Sequence, residues 1–589
     1  MPALQTLCDV KWGLVLGAIT AIVLASPPSQ ARSDDKSAED LQISDSYSLL
    51  GSYLAGRVAR EDKNLGAAAR YYQRALARDP DNEEMLAEVF KVQLGAGNMR
   101  QAIELARRLT ESGNGDHGFA YLVLGTDAFM RGEYEAAEKH FGTVGESPII
   151  QLTDTLALAW TQFARGHKDR ALKILSVQQS ADRSRYFQHM HVALAADLAG
   201  RTEMARENYA LAYEQHGTNR RLIEAYARHA AVHGDDALVE QLLGPYQNGE
   251  RSDEGMRALY KRLTSEKEPE LLVTSAREGL AEVYFGIGAV LASEQAATVS
   301  RFYLRLALFM RPEFDRAQYL LGEIETTDQR MEAGLAAYLG VSASSPLYLD
   351  SRIRAAFVLS ALERSDEGVG MLTALAQDHP EEPRLLQAIG NILRDQKDYA
   401  EAAKYYSRAL DVIGEPSAEH WMYHYARGIC YERLKQWDKA EADLQKALEL
   451  NPKQASVMNY LGYSWVDQDM HLDEAMDLIR EAVRSEPNNG YYVDSLGWAH
   501  YKLGNYDRAV EHLEKAVELR PEDPVLNDHL GDAYWQVGRR REARFQWSNA
   551  LSLDPEPDDK EEILKKLADG LQGGNKKAEL DEAEAANVQ

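Results

Sequence analysis

The sequence predicts an all-α solenoid built from helix-turn-helix repeats. Gly497 recurs as Gly531 and Ala509 recurs as Ala543, each after a step of 34 residues. This period is that of a two-helix unit. The composition, 45% hydrophobic and 27% charged, suits helices that each bury one face. A single hairpin cannot bury its apolar face alone, so neighbouring units must stack into a superhelix.

The best copy of the unit explains why these residue types recur. It reads Leu530-Gly531, Tyr534, Ala543, Trp547, Ala550 and Pro555. Small residues let two helices approach closely, and bulky residues fill the space beside them. Proline ends the second helix because it cannot donate an interior hydrogen bond. This order is the tetratricopeptide-repeat (TPR) pattern, and about fourteen units follow one another along the chain.

The first 31 residues have the layout of a secretory signal peptide. Lys11 precedes the apolar run 12–24, and Ser29-Gln30-Ala31 places small residues at the −3 and −1 sites. This layout predicts cleavage after Ala31 and a periplasmic mature protein, with no transmembrane span. The apolar run is short for a membrane span. An uncleaved signal anchor stays open as the alternative, because Asp9 weakens the positive charge of the segment.

The cysteines and the net charge argue against three functions: a lipid anchor at Cys8, a catalytic thiol and nucleic-acid binding. Cys8 precedes the apolar run, so it cannot be the lipid-bearing cysteine of a lipoprotein. Only Cys430 remains after cleavage, and its place two residues after Gly428 predicts a small core residue rather than a catalytic thiol. The net charge of −27 argues against nucleic acid as a partner, since such binders present clustered Lys and Arg.

Repeat spacing divides the chain into consecutive segments. They are a signal peptide 1–31, an N-terminal tether 32–48, an N-terminal TPR array 49–247, a degenerate joint 248–280, a C-terminal TPR array 281–557, a capping helix 558–572 and a disordered acidic tail 573–589. The capping helix is predicted from the start signal at Asp558 and Glu561 and from an apolar stripe that includes Ile563 and Leu567. Such a helix covers the exposed end of a solenoid.

The sequence predicts no enzyme, no cofactor and no metal site. Gly286-Ile287-Gly288 is similar to the start of a dinucleotide-binding loop, but no strand precedes it. His189 and His191 are two residues apart, a spacing that does not place two imidazoles on one helical face. The H-E-x-x-H and G-x-S-x-G motifs do not occur.

Protein binding is the favoured function. In TPR arrays, positions two, five, nine and twelve of the first helix commonly line the concave side. In the last three full units the predicted peptide-binding residues are Asn459, Tyr463, Tyr491, Asp494, Trp498, Tyr501, Asp528, Asp532 and Trp535. Aromatic side chains with interspersed acids suit an extended or helical peptide with apolar and basic residues. The alternative, that some of these aromatics fill gaps between repeats, stays open.

The last units also carry a family resemblance, in Asn459-Tyr460-Leu461-Gly462-Tyr463, Asp494-Ser495-Leu496-Gly497-Trp498 and Leu503-Gly504. They resemble the closing repeats of secreted proteobacterial TPR proteins. The best understood type in that family is the outer-membrane lipoprotein partner of the periplasmic carboxy-terminal processing protease. The resemblance implies a spiral adaptor that binds the protease and captures substrates such as cell-wall hydrolases. This chain lacks the lipobox cysteine. A structural scaffold for envelope assembly, in polysaccharide export or outer-membrane biogenesis, stays open as the second function.

Overall fold

The computed structural model describes residues 48–112, 117–143, 147–176, 182–247, 253–265 and 269–571. Within these residues every regular element is a helix, which confirms the predicted all-α solenoid. The chain divides into two compact units, 1–364 and 365–589. The predicted signal peptide, nearly all of the predicted tether and the predicted acidic tail lie outside the described residues.

The first unit contains eighteen of the described helices. They are α1 (Leu49–Glu61), α2 (Leu65–Arg78), α3 (Glu83–Ala96), α4 (Met99–Ser112), α5 (Gly118–Met130), α6 (Tyr134–Phe141), α7 (Pro148–Ala164), α8 (Lys168–Leu175), α9 (Asp182–Ala199), α10 (Thr202–His216), α11 (Arg220–Val232), α12 (Asp236–Gln247), α13 (Glu254–Ser265), α14 (Ala276–Ser293), α15 (Ala297–Met310), α16 (Asp315–Thr327), α17 (Met331–Leu339) and α18 (Tyr348–Ala361).

The second unit contains twelve α-helices and one 3₁₀ turn, Ala418–His420, among the residues that the structure describes. The helices are α19 (Ser365–Asp378), α20 (Pro383–Asp395), α21 (Tyr399–Ile413), α22 (Trp421–Arg433), α23 (Trp437–Leu450), α24 (Ala455–Asp467), α25 (Leu472–Ser485), α26 (Gly490–Lys502), α27 (Tyr506–Leu519), α28 (Pro524–Gln536), α29 (Arg540–Ser552) and α30 (Pro557–Asp569). The last of these is the predicted capping helix.

The turn inside each hairpin repeats with the period of the sequence. In the first unit, left-handed backbone conformations with positive φ recur every 34 residues at Gly132, Gly166, Gly200 and Gly234. Glycine adopts this conformation at little cost, which explains its place there. At the helix crossing in the best copy, the Cα of Gly531 lies so close to the ring of Trp547 that an added Cβ would stand 2.5 Å from the ring. The repeat pattern therefore predicts both the turns and the close approaches.

The first unit closes on itself. Helices α14 and α15 pack back against the first helices of earlier repeats, namely α3, α5, α7 and α9. The hydroxyl of Tyr284 on α14 lies 2.6 Å from Thr126 Oγ1 on α5, and Tyr303 on α15 lies 2.8 Å from Thr153 on α7. Arg305 Nε donates to the carbonyl of Gly95 at 3.2 Å. These contacts fill the inner surface of the N-terminal repeats with side chains from the same unit.

The segment 248–280, predicted as a degenerate joint between arrays, lies within the first unit. Its helix α13 packs against α11 and α12 and buries Met256, Leu259 and Leu263. An ion pair between Arg221 of α11 and Glu282 of α14 joins the helices on either side of this segment. The boundary between the two units falls at 364/365, between α18 and α19.

Candidate functional site

The second unit presents a continuous inner surface built from the first helices of its last repeats. Helix α24 contacts α26, and α26 contacts α28. These three helices carry all nine predicted peptide-binding residues: Asn459 and Tyr463 on α24, Tyr491, Asp494, Trp498 and Tyr501 on α26, and Asp528, Asp532 and Trp535 on α28. In the first unit the equivalent surface is filled by α14 and α15, so the inner surface of the second unit is the candidate site.

An aromatic stack lies at the centre of this surface. It consists of Tyr501, Trp498 and His529. The rings of Trp498 and Tyr501 are parallel within 5°, with centroids 4.7 Å apart. The His529 ring lies 4.0 Å from that of Trp498 at 14°. His529 Nδ1 lies 3.1 Å from Asp494 Oδ1, which joins the stack to another predicted residue. The stack therefore spans two adjacent repeats, α26 and α28.

The electrostatics of the stack favour a charged imidazole. Burial lowers the pKa of His529, but the negative charges of Asp494, Asp528 and Asp532 and the hydrogen bond to Asp494 outweigh burial, so the pKa of His529 is raised. A protonated imidazole over the indole face of Trp498 adds a cation–π attraction. Sequence reasoning missed His529, because its role depends on contacts with the preceding repeat, about one period away in sequence.

Three of the nine predicted residues have a buried side-chain polar atom without a hydrogen-bond partner among the described residues. They are Trp498 Nε1, a donor, and Asn459 Oδ1 and Asp528 Oδ1, both acceptors. Tyr463 lies on α24, one turn after Asn459, and burial, followed by the charge of Asp494, raises the pKa of its hydroxyl. Leaving a buried donor or acceptor unsatisfied costs free energy. An extended polypeptide carries one N–H and one C=O per residue, which are the kinds of group that these atoms lack.

Tyr491 is placed apart from the stack. The residue is 39% exposed, and the Arg520 guanidinium lies 5.3 Å from the centroid of its ring. Burial and then the charge of Asp523 raise the pKa of its hydroxyl, which places Tyr491 against the α27–α28 connection. Tyr491 and Trp498 share one sequence pattern, because both occupy helix positions that usually line a TPR groove, and the structure separates them.

The remaining three predicted residues are covered by α30. Lys566 Nζ lies 2.7 Å from Asp528 Oδ2 and 2.8 Å from Asp532 Oδ2. Trp535 Nε1 donates to the carbonyl of Leu571 at 3.1 Å. Asp528, Asp532 and Trp535 form the α30 seat. The sequence predicts that these residues line an open groove, whereas in the structure they hold a helix of the same chain.

Charge organises the α30 seat. Burial lowers the pKa of Lys566, but the two carboxylates outweigh burial, so its pKa is raised and the ammonium form is favoured. Burial and the charge of Asp528 raise the pKa of Asp532 to about 6, against the opposing effect of Lys566. Trp547 Nε1 also donates to Asp532 Oδ1 at 2.8 Å. Two residues of the seat, Asp528 and Asp532, thus form an acidic pair that binds one buried lysine.

The glycines, histidines and cysteine considered above as possible functional residues lie in helices and contact other side chains of the fold. Gly286-Ile287-Gly288 lies inside α14. His189 Nδ1 lies 2.9 Å from Asn208 Oδ1, and His191 Nδ1 accepts from Trp160 Nε1 at 3.3 Å, so the two histidines face different partners. Cys430 is buried, and burial raises the pKa of its thiol to about 12.

One cluster among the described residues has the donor types of a transition-metal site, namely Asp197, His229 and His233. His229 Nδ1 lies 2.6 Å from Asp197 Oδ1, which is a hydrogen-bond distance. Two ligands of one tetrahedral metal ion stand about 3.3 Å apart, given metal–ligand bonds of about 2.0–2.1 Å. We therefore assign the His229–Asp197 pair to the packing of α11 against α9, where both side chains are buried.

Sequence comparisons identify the repeat type. Models described as tetratricopeptide repeats or TPR repeats match residues 59–123, 381–453, 425–490 and 497–538. The fold is a tetratricopeptide-repeat solenoid. No helix among the described residues is long and apolar enough to cross a membrane.

Two curated relatives are bacterial. The "TPR repeat-containing protein PA4667" of Pseudomonas aeruginosa PAO1 is 25% identical over 198 residues, which are 32% of this chain and 32% of the relative. The "Lipoprotein NlpI homolog" of Haemophilus influenzae Rd is 35% identical over 101 residues, 17% of this chain and 32% of the relative. The chain thus spans about a third of the length of these relatives.

Two solved structures illustrate the similarity to known chains. The crystal structure of yeast Tom70 is 13% identical, with 91% of this chain and 96% of that chain covered and a TM-score of 0.33. A structure of MamA (41-end) from Desulfovibrio magneticus RS-1 is 19% identical, with 29% of this chain and 94% of that chain covered and a TM-score of 0.26.

Proposed function

We propose that this chain is a non-enzymatic adaptor of the periplasm that captures flexible polypeptide in the groove of its second unit. Its ligands include substrates such as cell-wall hydrolases, which it delivers to a carboxy-terminal processing protease. The protease docks on another surface. The groove is the part of the inner surface around Tyr463, Asp494, Trp498 and Tyr501.

The observation that carries this proposal is the stack together with its unpartnered atoms. The stack combines three aromatic rings, with Trp498 in the middle, and an indole N–H that has no partner, and Asn459 adds a carbonyl oxygen without a partner. Aromatic anchors of this kind supply most of the binding energy in peptide clefts. The carboxylates nearby attract basic segments, and salt weakens that attraction.

Two further findings support the proposal. TPR repeats present grooves for proteins rather than catalytic centres, and four segments of this chain match such repeats. One relative carries the name lipoprotein, which fits a place in the cell envelope for this chain also. The delivery role itself rests on the family resemblance of the last repeats.

The proposal is tested by reconstituted proteolysis with purified carboxy-terminal processing protease and a cell-wall hydrolase. We expect this protein to accelerate degradation of the hydrolase. The double substitution Trp498→Ala and Tyr501→Ala should reduce hydrolase capture at least tenfold and leave protease co-purification unchanged. Tyr491→Ala is the matched control, because Tyr491 is an aromatic residue of the same helix outside the stack.

Two results would contradict the adaptor. If the wild-type protein neither accelerates proteolysis nor co-purifies with the protease, a structural scaffold for envelope assembly becomes the better interpretation. If Tyr491→Ala reduces capture as much as the double substitution, the stack does not define the site.

A further inference from the structure

Helix α30 holds its place with few buried side chains. Of its residues, Ile563 is 1% exposed and Lys566 is 5% exposed, whereas Leu564 is 48% exposed. Leu567 and Leu571 are partly buried against the cluster that includes Tyr501. Just before α30, the Glu556 carboxylate lies 2.9 Å from Lys397 Nζ. Both side chains are largely exposed, so this ion pair contributes little to holding α30 in place.

The first turn of α30 carries an exposed carboxylate, Asp559, near an already acidic surface. Asp559 has its pKa raised, first by burial and then by the negative charge of Asp528. The same Asp559 charge contributes to the raised pKa of Tyr463, which places the first turn of α30 beside the groove. Asp559 and Lys566 are seven residues apart and so share one helical face. At one end of that face, Lys566 is attracted by Asp528 and Asp532. At the other end, the negative charge of Asp528 disfavours the charged form of Asp559.

At the Trp535 end of the seat, the structure accommodates the C-terminus of a helix. Gly570 ends α30 with a φ of +73°, and a Cβ at this position would collide with the Trp535 ring. Trp535 Nε1 and Arg544 Nη1 donate to the carbonyls of Leu571 and Leu567, respectively. The carbonyls of the last turn of any helix lack partners within the helix. The Trp535 and Arg544 donors can therefore bind any helix that ends at this point.

We propose that the α30 seat is a binding site for a partner's amphipathic helix, and that α30 is a displaceable occupant of it. The partner helix carries a lysine at the position of Lys566, a neutral or basic residue in place of Asp559, and a glycine at its end. Displacement of α30 exposes Asp528, Asp532 and Trp535 and joins the seat to the stack. The inference rests on the proposed function for its biological role, but the seat as a helix-binding site can be tested separately.

The probe is a fluorescent synthetic peptide of residues 556–571 with Asp559→Lys, measured by anisotropy against the full chain. A tethered α30 competes at a high effective concentration, so the wild-type protein should bind the probe weakly. Lys566→Gln removes the buried charge while it keeps the size of the side chain. We expect this variant to bind the probe at least tenfold more tightly than the wild type and to exchange the amide hydrogens of α30 at least tenfold faster.

Two further variants make the test specific. Lys565→Gln changes an exposed lysine of the same helix and should behave like the wild type in both measurements. Adding Asp528→Asn and Asp532→Asn to Lys566→Gln should abolish the gain in probe binding, because the acidic pair is lost. Circular dichroism establishes that each variant keeps its helix content.

Either of two outcomes overturns the inference. In the first, Lys566→Gln releases α30 but binds the probe no more tightly than the wild type. In the second, Lys566→Gln leaves hydrogen exchange in α30 unchanged. Loss of proteolysis in the adaptor assay, with probe binding intact, would refute the proposed function and leave the seat as a helix site.

Discussion

Gly531→Ala should destabilise the last repeat, because it adds a methyl group at a buried helix crossing. The new Cβ would stand 2.5 Å from Cδ1 and Nε1 of Trp547. Trp547 is fully buried and donates a hydrogen bond to Asp532 at 2.8 Å, so its ring cannot move away without losing that bond. Overpacking and the strained hydrogen bond together should cost about 2–4 kcal/mol.

Hydrogen exchange measures this cost locally, which matters because a chain of two units need not unfold in one step. The amides of α28 and α29 should exchange roughly 30- to 700-fold faster in the variant. The effect should spread to α26, α27 and α30 and fade further along the chain, because each repeat contacts mainly its neighbours.

Gly370→Ala is the matched control. No atom lies within 4 Å of a Cβ at Gly370, which is an exposed position within α19. Alanine favours a helix over glycine by about 0.5–1 kcal/mol, so this variant should be slightly stabilised. Unchanged protection of α28 in Gly531→Ala, or a uniform loss of protection that reaches α1, would refute the reasoning.

Ala543→Leu should destabilise the same repeat by ~1–3 kcal/mol in local hydrogen exchange, because Ala543 is fully buried at a helix crossing. Asp154 is buried, and burial raises its pKa to about 8. The folded state therefore binds more protons than the unfolded state between about pH 4 and pH 8, and stability falls as the pH rises through this window. Asp154→Asn should raise the free energy of unfolding of the first unit at pH 8 by ~1–3 kcal/mol and flatten its pH dependence. Urea titrations at several pH values that resolve the transition of the first unit would measure this, and an unchanged slope would contradict it. Cys430 should resist a thiol reagent at pH 8 in the folded protein and react after denaturation, because burial raises its thiol pKa to about 12. Amino-terminal sequencing of protein from cell envelopes should begin at Arg32, whereas a start at Met1 in the membrane would favour the signal anchor.

The sequence predicts local features of the fold well. The 34-residue step locates the hairpins, and the start signal at Asp558 places the last helix within one residue of its observed start at Pro557. These features depend on residues that lie within one repeat. Propensity, capping and small-residue spacing are readable there because the interacting residues are near neighbours in the chain.

Contacts between distant segments were not predictable in the same way. Nothing in the local pattern of Tyr284 indicates that its hydroxyl meets Thr126, 158 residues earlier. The placement of α30 over Asp528 and Asp532 likewise depends on where the chain turns after Pro555, and no repeat pattern encodes that direction. The predicted aromatic residues lie on α24, α26 and α28, but only the structure separates the stack from Tyr491.

The closure of the first unit by α14 and α15 has a consequence during synthesis. The hydrogen bond between Thr126 and Tyr284 cannot form until Tyr284 has been synthesised, 158 residues after Thr126. At about 5–20 residues per second this delay is roughly 8–30 s. For that time the apolar inner faces of α5 and α7 have no helix to cover them. Newly made first units are therefore open to aggregation and to chaperone capture, whereas a repeat of the second unit finds its neighbour almost as soon as it is made.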